Sequence, residues 1–235
     1  MRRRPSPAGG RSDRLRQLWN AESHKYADSG SSPGDVPLRP EFLPRHADRV
    51  LDAGCGGGAH VRMYRTITPT VVGLDFSDAM VRAAGRHTPT VQGDIQALPF
   101  RGDAFDYVSS YLVISHVPDS GGALGELGRV TRPGGRLVVV VPNRWSFLAP
   151  MRALMVKLGR YSLGLCRHYS VSTLRREGRA HGLAVVAAHA VRKPPTALSA
   201  VRAGPTWIAS MLDRAGRAMC PLWGGDLAVM FEKRP

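Results

Sequence analysis

The chain has 235 residues, 43% of them hydrophobic, enough for one large domain with a sizeable core, and its longest apolar runs, such as Leu137 to Val141, are too short to span a bilayer. Three widely spaced cysteines, Cys55, Cys166 and Cys220, form no CxxC pair, which argues against a disulfide framework or a zinc site. The net charge of +15 invites a nucleic-acid reading, but the arginines are scattered and no interleaved basic and aromatic stripe suited to stacking bases is present, so a nucleic-acid partner is not expected.

Residues 1–11 are rich in Arg, Pro, Gly and Ser and are expected to be disordered. No apolar stretch follows these basic residues, so a cytoplasmic protein is expected. Residues 12–47 form an N-terminal helix and loop, the helix carrying Leu15, Leu18, Trp19 and Tyr26 and the loop running through "DSGSSPGDVPLRP". From about residue 48 onward strand and helix alternate. "RVLDAG" is a buried strand and "HVRMYRTI" a short helix. "VVGLD" (71–75) is a second strand, after which Ser77 caps the helix "DAMVRAAGRH". "TVQGD" (90–94), "FDYVSSYLV" (105–113) and "GRLVVVV" (135–141) are further strands, with the helical "GGALGELGRVT" before the last of them. Near-continuous apolar strands separated by helices predict an α/β fold with a parallel sheet covered on both faces.

Two insertions break the rhythm, at about 144–170 and 192–224. The first is apolar with Arg152, Lys157 and Arg160 interspersed, and is read as a helical cap over the site, a peripheral membrane contact being the alternative. Between them, "SVSTLRREGRAHG" predicts a helix and "LAVVAAHAV" a sixth strand. "DLAVMFEKR" (226–234) predicts the last one.

The segment "VLDAGCGGGAH" (50–60) contains Gly54-Cys55-Gly56-Gly57-Gly58-Ala59, which fits the GxGxxA form of the dinucleotide fingerprint, and Asp75 ends the next strand where an acid can bond a ribose hydroxyl. An NAD(P)-dependent oxidoreductase therefore competes. Three further features point to a different ligand. Asp52 lies two residues before the first glycine, Gly93-Asp94 ends the third strand, and Pro133-Gly134-Gly135 introduces the fifth.

With these blocks in order, the chain resembles the class I S-adenosylmethionine-dependent methyltransferases, in particular the bacterial small-molecule group called type 11. The matching text is "VLDAGCGGG", "VVGLDFSDAM", "VQGDIQALPF", "DAFDYVSSYLVISHV" and "RVTRPGGRLVVVVPN", all within residues 50–143. It continues more faintly at "RHYSVSTLRREGRAHGLAVV" and "LWNAESHKYAD". The resemblance implies a Rossmann-like, doubly wound, mostly parallel seven-stranded sheet with helices on both faces and an antiparallel last strand. It also implies S-adenosylmethionine as cofactor and S-adenosylhomocysteine as product.

That cofactor has no phosphate. It needs close backbone approach for its amino-acid end, which Gly54, Cys55, Gly56 and Gly58 would give. It needs an acid for two ribose hydroxyls, the expected role of Asp75. Asp94 would accept from the adenine amino group beside the backbone of Ile95, and Phe76 and Met80 would pack on the adenine. Asp52 would approach the ammonium, Ser110 and Tyr111 would line the methionine end, and His24 and Tyr26 would close over the cofactor. Cys55 is read as a small residue filling a tight turn. Among catalytic candidates, His116 in "ISHV" comes first as a proton acceptor, with His168 and Tyr169 in "RHYS" facing the acceptor. His60, His87, His181 and His189 read as surface. No metal is expected. The apolar first insertion, with Trp145 and Phe147, suggests a hydrophobic small-molecule acceptor such as a secondary metabolite, quinone or lipid, methylated on O or N. The protein is expected to be a monomer or a homodimer. A non-catalytic cofactor-binding protein with the same fold is the third reading.

Overall fold

The computed structural model describes residues 16–21, 38–46, 48–146, 150, 154, 157, 166–191 and 225–235. The basic N-terminus, His24, Tyr26, Phe147, most of the first insertion and the second insertion lie outside the described residues. Seven strands form one sheet: β1 Val50–Ala53, β2 Val71–Asp75, β3 Thr90–Gln92, β4 Phe105–Tyr111, β5 Thr131–Pro142, β6 Leu183–Val191 and β7 Asp226–Lys233. Their order is β3-β2-β1-β4-β5-β7-β6, with β7 antiparallel to both β5 and β6. The expected architecture and its antiparallel last strand are present. Four labelled helices connect the strands: α1 Ala59–Arg65, α2 Asp78–Ala84, α3 Ser120–Val130 and α4 Val171–Arg179.

The two-residue period of a strand distributes the core over both sheet faces. Leu51, Ala53, Leu137, Val139 and Val141 join Leu124 and Leu127 of α3 and Leu174 of α4 on one face. Val50, Val138 and Val140 join Val61 and Tyr64 of α1 and Ala84 of α2 on the other. This two-sided covering is why β1 and β5 read as unbroken apolar runs. Short polar residues start three of these four helices: Ser77 Oγ accepts from Met80 N, Asp119 Oδ1 from Gly122 N and Ser170 Oγ from Thr173 N.

The fifth strand starts earlier than its sequence suggests, at Thr131 rather than Gly135. Thr131 pairs with Phe105 and Arg136 with Tyr107, so the "RPGG" stretch between them is extra chain on β5 and forms a bulge. Arg132 and Arg49 both bind the Asp106 carboxylate there, at the end of the sheet away from the motifs.

Gly178 of α4 packs against β7, where an added Cβ would lie 2.7 Å from Phe231 Cε1, and that ring is fully buried. Gly178→Ala would gain about 1 kcal/mol of helix propensity but force a fully buried ring to shift, costing about 1–3 kcal/mol. The expected result is a net loss of stability, read as a lower urea midpoint with an unchanged slope.

The chain runs outward from β1 to β3 and then crosses back to β4, so the strand order reverses between β1 and β4. Open α/β sheets bind ligands at such a reversal, at the C-terminal strand ends. The glycine loop follows β1, Asp75 ends β2, and Tyr111 ends β4.

Candidate functional site

The loop after β1 is held by its neighbour. The amides of Gly54 and Cys55 both donate to Leu74 O of β2, at 2.6 and 2.9 Å. Gly54, Gly56 and Gly58 have φ of 85°, 51° and 85°, the left-handed region that favours glycine. Side chains are excluded at Gly54 for a second reason: a Cβ there would meet Val113 Cγ2 at 2.1 Å. Leu112, itself at φ 58°, turns the chain after β4 and brings Val113 there. No described residue lies within 4 Å of the position a Cβ would take on Gly56, so among the described residues the loop backbone is open at that point. Cys55 points the other way. Its thiol lies against Gly73, and burial pushes that thiol far above the ordinary range, so it is inert packing at physiological pH.

Three acids stand at strand ends, in different environments. Asp75 shapes the loop: Oδ2 accepts from Gly56 N and Oδ1 from Ser77 N, each at 2.9 Å. Burial nevertheless raises its pKa. Asp52 is 1% exposed; Ser109 Oγ donates to its Oδ1 at 2.9 Å, while Oδ2 is buried with no hydrogen-bond partner among the described residues. Burial, reinforced by nearby Asp75, pushes the Asp52 carboxyl up to about 7 against the bond from Ser109. Asp94 organises the turn after β3, its Oδ1 accepting from Gln96 N at 2.9 Å and from Gln96 Nε2 at 3.2 Å. Ile95 and Met80 are buried beside these acids in the chain, and Phe76 is half-buried.

At the end of β4, Ser110 Oγ is buried without a hydrogen-bond partner among the described residues. Tyr111 joins a tyrosine cluster, with Tyr64 Oη 2.9 Å from Tyr111 Oη and 3.4 Å from Tyr107 Oη. Tyr107 Oη donates to Phe42 O at 2.7 Å. His60, read from sequence as surface, stacks on Tyr111 with ring centroids 3.8 Å apart and planes 14° apart. Burial pushes its imidazole down to about 4. Helix phase could have shown this placement. His60 and Tyr64 are four residues apart on α1, and Tyr64 is a core residue.

His116 is buried after β4 and meets Trp19 edge-on, centroids 5.8 Å apart. Asn20, in the same short helical stretch, accepts from Ser77 Oγ at 2.6 Å. Residues 16–21 therefore lie over the ends of β2 and β4. Tyr169 is 3% exposed; its hydroxyl donates to Ile114 O at 3.2 Å, and its backbone amide to Pro142 O. That makes it a strut between the β4 and β5 ends. His168 is half-buried beside it.

The family model for "Methyltransferase domain" matches residues 51–139. Over 194 residues the chain is 34% identical to a demethylmenaquinone methyltransferase of Mycolicibacterium paratuberculosis, a match covering 80% of this chain and 76% of that enzyme. The chain belongs to the class I S-adenosylmethionine-dependent methyltransferases. It is also 33% identical over 162 residues to a malonyl-[acyl-carrier protein] O-methyltransferase of Erwinia pyrifoliae, covering 68% of this chain and 61% of that enzyme. Other curated relatives are spanned over as little as 32% of their length. Among solved structures, the phosphoethanolamine N-methyltransferase 2 of Haemonchus contortus with bound S-adenosyl-L-methionine superposes with a TM-score of 0.66. That match has 16% identity and covers 94% of this chain and 60% of that one, a likeness of fold.

The residues present fit this family's cofactor. A sulfonium amino acid brings a cationic ammonium, and the buried, unpartnered Oδ2 of Asp52 is a group that needs one. The open backbone at Gly56 would admit an amino-acid end, and Asp75 keeps acceptor capacity beyond its two amide bonds, since a carboxylate offers about four lone-pair sites. No helix among the described residues is long and apolar enough to cross a membrane.

Proposed function

We propose that this methyltransferase carries a methyl group from S-adenosylmethionine to a small apolar acceptor bearing a hydroxyl, of the quinol class. The reading is supported above all by the aromatic end of β4, where Tyr111, Tyr64 and His60 meet beside the glycine loop. The activity of the demethylmenaquinone methyltransferase relative is consistent with it. The cofactor supplies an already activated methyl, so the protein's work is alignment and exclusion of water.

In this reading Asp75 holds the ribose hydroxyls, and Asp94 with the Ile95 amide holds the adenine edge. Phe76 and Met80 flank the adenine, and Ser110 and Tyr111 line the methionine end. Asp52 faces the ammonium, and Tyr26 closes over the cofactor. His116, under Trp19, takes the acceptor's proton, and His168 faces the acceptor while Tyr169 braces it. The protein works in the cytoplasm. The test is transfer of a labelled methyl from S-adenosylmethionine to reduced demethylmenaquinone and, separately, to malonyl-[acyl-carrier protein], with calorimetric titrations of S-adenosylhomocysteine and NADH. Label in the quinol, with binding of S-adenosylhomocysteine alone, is the expected outcome. Label in the carrier protein alone would overturn the acceptor class.

A further inference from the structure

His60 is the unexplained residue of the site. It is a half-buried imidazole, and neither ring nitrogen hydrogen-bonds a described residue. With no partner among the described residues, the ring nitrogens are available to a bound molecule. The ring is also held with unusual care. It stacks on Tyr111 at 3.8 Å. Tyr111 is fixed through its hydroxyl by Tyr64, Tyr64 lies 3.4 Å from Tyr107, and Tyr107 donates to the Phe42 carbonyl. Three buried tyrosines thus set the orientation of one histidine, two residues beyond Gly58 and at the end of β4. An exposed histidine with only a surface role would not need such support.

We propose that His60 is an acceptor-binding residue: a ring nitrogen accepts a hydrogen bond from the hydroxyl of a planar, hydroxylated aromatic acceptor, and Tyr111 is the platform that aims the imidazole. This rests on the quinol-class reading above and adds the residue that selects a hydroxyl. Desolvation keeps the imidazole neutral near pH 7, so the platform adds no positive charge beside a cationic methyl donor. A neutral imidazole can accept at one nitrogen, which a protonated one cannot. The role is distinct from that of His116, which is packed under Trp19.

The test uses 1,4-naphthohydroquinone as probe, kept reduced, added to protein saturated with S-adenosylhomocysteine and labelled with nitrogen-15 in histidine. Two readings are taken: the His60 side-chain nitrogen shift and the probe's dissociation constant. In the wild type the probe should bind and move a His60 nitrogen resonance. His60→Phe keeps a ring to stack on Tyr111 but has no acceptor, and should weaken the probe about tenfold or more while leaving S-adenosylhomocysteine affinity within about twofold. His60→Gln, which retains an acceptor oxygen, should restore part of the loss. Equal probe affinity in the wild type and His60→Phe, with no nitrogen shift, overturns the role of His60 and leaves the acceptor class standing. A parallel loss of S-adenosylhomocysteine affinity also overturns it, by making His60 a cofactor-site or structural residue. Wild-type protein that binds S-adenosylhomocysteine but not the probe overturns both the acceptor class and this assignment.

Discussion

Replacing Asp52 with asparagine is expected to make the cofactor-free protein more stable relative to wild type as pH rises, and to weaken cofactor binding in the same range. The carboxyl is buried, 1% exposed, with an unpartnered Oδ2, and its pKa sits at about 7 against an ordinary value of 3.8. Between those two values the folded protein holds a proton that the unfolded chain has lost. Stability therefore falls as pH rises through this window and stays low above 7. A shift of this size corresponds to at most about 4 kcal/mol, and relaxation around the site makes about 2 kcal/mol a reasonable expectation. Asparagine keeps an oxygen for Ser109 Oγ and has no charge to bury, so its stability should lack this slope. Asp75 is raised in the same direction but is present in both proteins, so the difference between two urea series at pH 4.5 and pH 8 isolates Asp52. Binding should move the opposite way. If Asp52 meets the cofactor's ammonium, wild-type affinity for S-adenosylhomocysteine rises as pH passes through 7. In the variant it should be flat and about 10- to 100-fold weaker at pH 8, the worth of one charge-assisted bond. Equal affinity at pH 8 would mean Asp52 does not face the ligand. A residue that destabilises the empty protein and strengthens its complex is a common signature of a binding site.

The strands were legible because a sheet covered on both faces leaves apolar runs, and β2 and β6 fall on the residues their runs predict. The start of β5 was not. "TRPGG" carries turn residues, and what makes its ends strand is tertiary, namely the pairing of Thr131 with Phe105 and the grip of Arg132 on Asp106. The acids at the strand ends could be picked out because strand termini on a parallel sheet converge. Their partners could not. Ser109 carries no sequence signal of its own, and it matters because the register sets it directly beside Asp52 on the neighbouring strand. Asp75 looked like a group reserved for ligand, yet it already accepts two backbone amides, one from a glycine whose left-handed conformation aims it there. His60 looked like surface because a histidine in a short helix carries no pattern of its own. Only Tyr64, one turn later, betrays which face it shares.

Asp75→Asn is expected to have the larger effect of the two acid substitutions on cofactor binding. An amide can present one oxygen where the carboxylate presents two, so either Gly56 N or Ser77 N would face an NH2 group instead of an acceptor. The first outcome frees the glycine loop. The second loosens the start of α2, where Ser77 caps Met80 N and reaches Asn20 of the covering N-terminal residues. Affinity for S-adenosylhomocysteine should fall at least about 100-fold, roughly 3 kcal/mol. Two mechanisms could give that number: loss of direct bonds to the ribose, or loss of loop shape. A second ligand, 2′-deoxy-S-adenosylhomocysteine, separates them in a double cycle. If Asp75 bonds the 2′-hydroxyl, removing both costs less than the sum of removing each, and the variant's penalty shrinks by about 1 kcal/mol or more with the deoxy ligand. If Asp75 acts only by holding Gly56 and Ser77, the penalty is the same for both ligands, and the ribose contact must come from elsewhere in the site.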